Sequence, residues 1–371
     1  MPNNDGISRA SIEEVLVEFD TKRDALATFC NKTKPLIEEI LLASGIKYQS
    51  VQARVKSREK LRNKYLDETR SYKRLDDITD QAAVRVITYY EDEVDKVSEV
   101  IQREFEIDPA NSVDKRETEP DKFGYYALNY VCKYSGARTS QLEYRKFTDV
   151  WCEIQITSIL RHAWSEIEHP WYDLKDAFPA DIKRRFARMA ALLEIAESEF
   201  LSLRKVQADY QKAVAVQVEA NVPDLKIDAV SLRSLLERDP LVTEIDAAMA
   251  GVVGLKMQDA LPDAVLEMRR RTVTAAGLTR IQEIRDLLKR FKQGLPEYLN
   301  QCKKEIWSDE PVGAEVYKGL CLYHLGLLVV NQLGEEATLA FLAEAGFRGQ
   351  VRWDVSRQVT IGKAIAEKYP A

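Results

Sequence analysis

The segment from about Ile46 to Leu174 constrains the fold most, because short β-rich runs alternate there with helical stretches. The helical stretches are clearest at Ser57–Leu66 and Glu93–Phe105. The β-rich runs are Tyr48–Val55, Ala82–Tyr89, Tyr125–Tyr134 and Asp149–Ile156. This alternation predicts an α/β or α+β layer that is built on one sheet.

The region before this segment has a helical pattern. Residues 8–50 keep helical apolar spacing from Ile12 onward, and Ser11 with Glu14 can form a capping box. A second helix is predicted at Thr33–Ser44.

From about Ala180 the pattern is helical to the end of the sequence. Amphipathic stretches in this part lie at Ser231–Leu236, Ala264–Val273, Leu278–Phe291 and Val316–Leu333. We therefore expect N-terminal helices at 1–45, a core with a trailing long helix at 46–220, and an all-α C-terminal domain of unknown role at 221–371.

The composition is that of a soluble globular protein: of 371 residues, 45% are hydrophobic and 31% are charged. The apolar runs are too short to span a bilayer, and Met1–Ser8 lacks the order of a signal peptide. We therefore expect a cytoplasmic protein without a membrane partner. The five cysteines are scattered, which argues against a disulfide framework and a zinc ribbon.

The net charge of −6 argues against generic nucleic-acid binding, so any phosphate site must come from a local cluster. One cluster has basic residues at every second position: Arg54, Lys56, Arg58, Lys60, Arg62 and Lys64. Cations from a strand end and from the next helix can converge on a polyphosphate. A solvated basic helix face is an equally good interpretation.

Asp80 stands directly before an apolar strand that contains Arg85, with Asp76 and Asp77 just upstream. Metals and phosphates are often held by carboxylates at the edge of a sheet, and Mg²⁺ prefers hard oxygen ligands. The alternative interpretation is a group of turn aspartates in front of an ordinary strand.

Glu153 lies in the middle of a predicted strand. Strand alternation places Trp151, Glu153 and Gln155 on one face and the apolar residues on the other. A buried glutamate is costly unless it is paired or bound to a metal, which favours a functional role. A strand with one hydrated face is the alternative.

Two further motifs have weaker signals. Lys122 is followed by Phe-Gly-Tyr-Tyr, in which the glycine can let the backbone approach a ligand and Tyr125 can stack on a base. Aromatic strand residues are more often explained by plain sheet packing. His162 and Glu166 lie four residues apart, but without a third metal ligand at standard spacing we favour a structural helix cap on the sheet.

In this order and spacing, the motifs resemble the synthetase domain of the RelA/SpoT family, which makes the alarmones pppGpp and ppGpp. The resemblance covers about Ile46–Glu199. It rests on Asp80-Gln-Ala-Ala-Val-Arg85-Val-Ile, Phe123-Gly-Tyr-Tyr, Glu153-Ile-Gln-Ile and His162-Ala-Trp-Ser-Glu-Ile-Glu-His169. It implies an α+β fold: a mixed, nucleotidyltransferase-like sheet flanked by helices. It also implies transfer of the β,γ-pyrophosphate of ATP to a ribose 3′-hydroxyl, with release of AMP.

The resemblance also implies roles for individual residues. Asp80 and Glu153 would hold Mg²⁺, and Glu153 would activate the 3′-hydroxyl. The residues expected to bind ATP are Arg54, Lys56, Lys64 and Arg85. The residues expected to bind the acceptor are Lys122, Tyr125, Asn129 and Gln155, with Tyr125 stacked on the acceptor guanine.

The acceptor side departs from the family pattern. Many members read Gly-Tyr-(Arg/Gln)-Ser-x-His where this chain has Gly124-Tyr125-Tyr126-Ala127-Leu128-Asn129. Lys60 replaces a usual serine, and Thr157 and Ser158 replace a usual Arg-Thr pair. The donor and metal residues keep the pattern. None of the three histidines precedes an aspartate, so the hydrolase activity of longer members is not expected.

Three functions therefore remain open. The first is alarmone-like synthesis on a guanosine nucleotide. The second is a toxin-type transfer to an adenosine nucleotide or to the 3′ end of tRNA. The third is a non-catalytic nucleotide sensor, against which the retention of Asp80 and Glu153 argues. A homo-oligomer is compatible with each of them.

Overall fold

The computed structural model describes residues 10–67, 72–114, 127–168, 178–306, 315–345 and 354–370. The chain divides into two compact units, Met1–Arg204 and Lys205–Ala371. Among the residues described, none of the helices is both long and apolar enough to cross a lipid bilayer.

The first unit is built on a five-stranded mixed sheet, as the family resemblance implies. The strands are β1 (Ser50–Val55), β2 (Ala82–Thr88), β3 (Phe105–Asp114), β4 (Leu128–Tyr134) and β5 (Cys152–Ser158). Their order is β1-β2-β5-β4-β3. The pairing of β2 with β5 is parallel, and the other pairings are antiparallel.

Strand β3 was not predicted from the sequence. It lies at the edge of the sheet, most of its residues are partly or fully exposed, and its register shifts between Asp108 and Val113. Pro109 cannot donate a ladder hydrogen bond, which suits an edge strand. An exposed, irregular strand has no apolar alternation, and so it leaves no period-two signal.

Helices flank the sheet. In the first unit they are α1 (Ile12–Ala43), α2 (Arg58–Leu66), α3 (Asp92–Glu104), α4 (Gly136–Thr139), α5 (Ile159–Glu168) and the start of α6 (Ala180–Glu219). Two short 3₁₀ turns lie at Leu75–Asp77 and Arg145–Phe147. The division between the two units falls within α6.

Helix α1 confirms the predicted capping box: Ser11 Oγ accepts from Glu14 N, and Ser11 N donates to the Glu14 carboxylate. The prediction that a separate helix starts at Thr33 is wrong. The helix runs without a break through Pro35, which removes one backbone donor. It continues because the apolar residues on both sides of Pro35 are buried in the same core.

The core of the first unit lies between α1 and one face of the sheet. The alternation predicted for β5 is confirmed, because Cys152, Ile154 and Ile156 are fully buried. Phe29 of α1 is also fully buried, and its ring lies 5.0 Å from that of Tyr134 and 5.5 Å from that of Phe147. With one face covered by apolar packing, the polar residues of the strands lie on the opposite face.

The second unit is mainly helical and has its own core. Its helices are the end of α6, then α7 (Ala229–Arg238), α8 (Pro240–Val253), α9 (Asp263–Ala275), α10 (Ile281–Arg290), α11 (Gly294–Glu305), α12 (Leu320–Asn331), α13 (Glu335–Glu344) and α14 (Val355–Lys368). A short parallel pair, β6 (Lys256–Gln258) and β7 (Glu315–Tyr317), accompanies them and was not predicted.

Helix α12 begins later than the predicted stretch Val316–Leu333, because Gly319 has a left-handed φ of 83°. Asp246 of α8 accepts hydrogen bonds from the backbone amides of Gly319 and Cys321, at 2.6 and 2.7 Å. Burial raises the pKa of Asp246, although these hydrogen bonds oppose the shift. A carboxylate from a neighbouring helix therefore accepts hydrogen bonds from backbone N–H groups at the start of α12, which have no partner within the helix.

We expect Phe29→Ala to lower the free energy of unfolding of the first unit by about 3–5 kcal/mol, because it leaves a cavity among buried rings. The measurement is urea denaturation followed by hydrogen exchange of the sheet amides. Leu142→Ala is the control, since Leu142 is 82% exposed and its loss should change little. Equal effects of the two substitutions would contradict this description of the core.

Candidate active site

The strand register places five predicted site residues on the face of the sheet opposite α1. Ala83 of β2 pairs with Arg54 on one side and with Glu153 on the other. In the next row of the same face, Gln155 pairs with Arg85 and with Asn129. Residues that are paired across neighbouring strands point to the same face. The sheet therefore brings polar side chains from four strands together.

The carboxylate of Glu153 is held by two amide side chains. Asn129 Nδ2 donates to Oε1 at 3.0 Å, and Gln155 Nε2 donates to Oε2 at 3.1 Å. These bonds fix the plane of the carboxylate on a half-buried strand. Each oxygen keeps an unused lone pair, so the carboxylate can still accept a proton or bind a cation.

Arg85 is fixed by three neighbours. Its Nε donates to Gln155 Oε1 at 3.1 Å, and its Nη1 donates to Glu166 at 2.7 Å and lies 3.1 Å from His162 Nδ1. A guanidinium group has only donors, so Nδ1 accepts and the imidazole is neutral. Burial and then the charge of Arg85 lower the pKa of His162. The hydrogen bond from Arg85 lowers the pKa of Glu166.

His162 and Glu166 were not assigned to the site from the sequence. They lie on α5, which begins directly after β5. The available signal was their four-residue spacing on a helix that follows a strand with a polar face. The sequence does not reveal their partner Arg85, because that contact depends on the parallel pairing of β2 with β5.

Asp80 lies in the turn before β2 and forms ion pairs with two lysines. Lys56 Nζ lies 2.7 Å and Lys64 Nζ 2.9 Å from Asp80 Oδ2. The β1–β2 pairing brings Lys56 there, since its backbone amide donates to Gln81 O. Ser57 caps α2 by accepting from Lys60 N, and α2 carries Lys64 to the same carboxylate. Two of the six basic residues in the cluster thus converge on one acid.

Asp80 is charged although it is largely buried. Burial alone would raise its pKa, but the charges and hydrogen bonds of Lys56 and Lys64 outweigh burial and lower it. Burial likewise opposes the charge of Lys64, and Asp80 outweighs that effect and raises the pKa of Lys64. The second oxygen of Asp80, Oδ1, is buried and accepts no hydrogen bond from any residue that the structure describes.

A cleft of about 630 Å³ brings the two carboxylates together. Asp80, Glu153, Lys64 and Asn129 all line it. The remaining ATP-site candidates, Arg54, Lys56 and Arg85, and the acceptor candidate Gln155 lie beside it, in the ion pair with Asp80 or on the same sheet face. The predicted acceptor residues Lys122 and Tyr125 lie outside the described residues.

The carboxylate oxygens of Asp80 and Glu153 suit a hard cation that is also bound by phosphate oxygens and water. Within the described ranges, no group of three or more His, Cys, Asp or Glu side chains is placed to hold a metal ion by itself. Mg²⁺ is commonly held by one or two carboxylates together with phosphate oxygens and water. The unpartnered Oδ1 of Asp80 and the free lone pairs of Glu153 fit that requirement.

A second cleft, of about 910 Å³, adjoins the first and shares Asp76 and Thr79 with it. Its lining includes Trp151 and four basic side chains, which are Lys22, Arg74, Arg145 and Lys146. Lys22 is paired with Asp76, and Arg74 with Asp77. Arg145 and Lys146 are exposed and form no ion pair with any residue that the structure describes. We call this space the basic cleft.

Known structures of low identity match about half of the chain. Small alarmone synthetase 1 from Bacillus subtilis is 19% identical, with a TM-score of 0.43, over 52% of this chain and 98% of that one. A GTP pyrophosphokinase family protein from Streptococcus pneumoniae is 22% identical, with a TM-score of 0.43, over 53% and 96%. Small alarmone synthetase 2 from B. subtilis is 24% identical, with a TM-score of 0.38, over 52% and 97%. The curated proteins contain no match.

The family comparison identifies the part of the chain that carries the site. Residues 53–176 match the family model described as a region found in RelA and SpoT proteins. Asp80, Arg85, Asn129 and Glu153 all fall inside these bounds, as do Lys56 and Lys64 at its beginning. The segment that builds the sheet face and the cleft is therefore the part of the chain that matches this family model.

Proposed function

We propose that this protein transfers the β,γ-pyrophosphate of ATP to the 3′-hydroxyl of a guanosine nucleotide, as a GTP pyrophosphokinase does. The family match supports a pyrophosphotransferase, and the guanosine acceptor is our proposal. The observation that carries it is the cleft in which Asp80 and Glu153 lie with Lys64. Such a transfer asks a protein mainly for positioning and for neutralisation of charge.

The donor side rests on the lysines around Asp80. Each ammonium group has three donors and spends one on Asp80 Oδ2, so Lys56 and Lys64 keep donors for phosphate oxygens. Their side chains are largely buried, where charge is stabilised more strongly than in water. Arg85, held by its neighbours, and Arg54 of the adjacent strand add positive charge at the same face.

Asp80 and Glu153 would hold Mg²⁺. When bound, the ion would neutralise charge on the pyrophosphate group. Glu153 would also accept the proton of the 3′-hydroxyl while that oxygen attacks the β-phosphorus of ATP and AMP leaves. The amides of Asn129 and Gln155 keep the carboxylate in place for this step. Lys122 and Tyr125 stay proposed contacts of the acceptor.

We expect Glu153→Gln to reduce transfer by at least about 100-fold, because the variant keeps the size of the side chain and loses the charged base. The assay supplies γ-labelled ATP, Mg²⁺ and, in turn, GDP, GTP and bulk tRNA. Glu143→Gln, which changes an exposed acid outside the cleft, is the control. Wild-type activity in Glu153→Gln would contradict the role of Glu153 as the proton acceptor. ATP binding by the wild type without transfer to any acceptor would instead favour a nucleotide sensor.

The basic cleft favours a second candidate acceptor, the 3′ end of tRNA. The basic cleft adjoins the first cleft, and its Arg145 and Lys146 form no ion pair within the described ranges, so both cations are available to the phosphates of a single-stranded end. Cationic side chains beside an aromatic ring such as Trp151 are typical of surfaces that bind single-stranded nucleic acid.

The double variant Arg145→Glu/Lys146→Glu separates the two acceptors. If tRNA is the acceptor, label transfer to tRNA should fall at least tenfold and lose part of its salt dependence, because two phosphate contacts become repulsive. Transfer to GTP should stay within about twofold, since neither residue lines the first cleft. Unchanged transfer to tRNA in the variant would exclude the basic cleft as its path.

The neutral His162 gives a prediction about stability. Its folded pKa lies below the ordinary value of about 6.5, so the unfolded chain takes up this proton first as the pH falls. The free energy of unfolding should therefore decrease between about pH 7 and pH 5, and His162→Gln should remove that part of the decrease.

The measurement is urea denaturation of both proteins across this pH range. His324, whose pKa burial lowers to about 3, lies in the second unit and is the same in both proteins. The difference between the two pH curves therefore isolates His162. Parallel curves would contradict the neutral imidazole.

A further inference from the structure

Asn129 has an oxygen that the site does not use. The residue is 9% exposed and lines the first cleft. Its Nδ2 donates to Glu153 Oε1, whereas its Oδ1 is buried and has no hydrogen-bond partner among the residues that the structure describes. Buried side-chain acceptors are usually satisfied, so an unsatisfied one inside a cleft calls for a partner.

The orientation of this amide follows from Glu153. A carboxylate has only acceptors at neutral pH, so the amide must turn its NH₂ group toward it and its oxygen away from it. Gln155 makes the equivalent bond to the other oxygen of Glu153, but Gln155 Oε1 already accepts from Arg85 Nε. Of these two amides, only Asn129 has an oxygen that accepts no hydrogen bond from the described part of the chain.

We propose that Asn129 Oδ1 accepts a hydrogen bond from the ribose 2′-hydroxyl of the acceptor, and that this contact selects ribose over 2′-deoxyribose. The inference rests on the proposed function, in which Glu153 receives the neighbouring 3′-hydroxyl. Asn129 and Glu153 both line the cleft, and the 3.0 Å hydrogen bond from Asn129 Nδ2 to Glu153 Oε1 keeps Asn129 Oδ1 close to the carboxylate. Two neighbouring acceptors suit the two adjacent donors of a vicinal diol.

This contact gives Asn129 two separate roles. Its amide nitrogen positions Glu153, a role that Gln155 shares. Its oxygen distinguishes ribose from 2′-deoxyribose, a role that Gln155 does not share. Loss of either amide should slow transfer, and only loss of Asn129 should change the preference between sugars. A purely structural role of Asn129 would not affect that preference.

The test compares acceptor pairs that differ only in the 2′-hydroxyl. The pairs are GTP with 2′-deoxy-GTP, and an RNA oligonucleotide with the same RNA ending in a 2′-deoxynucleotide. For whichever pair is used, the wild type should prefer the ribose form in kcat/KM by about tenfold to 100-fold, since the deoxy form leaves a buried acceptor unpaired. Asn129→Ala should bring the ratio close to one.

Gln155→Ala is the matched control. It should lower the rate with both members of a pair and leave their ratio within about twofold of the wild type, because Asn129 Oδ1 is still present. Asn129→Asp keeps an outward oxygen and places an acceptor against Glu153. It should lose kcat while keeping most of the sugar preference. Circular dichroism of each variant checks that the fold is retained.

Equal use of both sugars by the wild type would overturn the proposal. So would a loss of the preference in Gln155→Ala that equals the loss in Asn129→Ala. If no acceptor is turned over, the proposed function fails, and calorimetric affinities for the same pairs then decide the inference. A preference for the ribose form that disappears in Asn129→Ala supports it, whereas equal affinity or no binding overturns it.

Discussion

The parallel pairing of β2 with β5 aligns the polar side chains on the sheet face of the candidate active site. It sets Arg85 beside Gln155 and Ala83 beside Glu153, and the strands on either side add Arg54 and Asn129 to the same face. A shift of one residue would turn these side chains into the apolar layer under α1. The burial of the alternate residues of β5 opposes that shift, so the core that stabilises the sheet also holds the site in register.

Local patterns in the sequence were enough to predict several elements. The capping box at Ser11, the helical stretch at Ser57–Leu66 and the alternation of β5 each depend on residues a few positions apart. The carboxylates Asp80 and Glu153 are only weak candidates in their own strand contexts, and the resemblance of the surrounding motifs to the RelA/SpoT family selected them. The structure then places them in one cleft.

Other features depend on partners that are distant in the sequence. The continuity of α1 through Pro35 reflects packing on the sheet, which no local signal reports. The partners of Arg85 on α5 and the two-sided support of Glu153 arise only when four strands are assembled. In the second unit, amphipathic periods revealed the helices. They did not reveal that Asp246 caps α12 or that Arg285 forms a buried ion pair with Asp239 at 2.7 Å.

The pairing of Asp80 with two lysines has a consequence for the protein when no ligand is bound. The two negative charges of Asp80 and Glu153 equal in number the two positive charges of Lys56 and Lys64. An unliganded cleft of this kind avoids the like-charge repulsion that weakens many anion sites when they stand empty. An internal counterion keeps both lysines partly desolvated and directed at the same oxygen. The polyphosphate would then exchange one anionic partner for another, which lowers the reorganisation that binding requires.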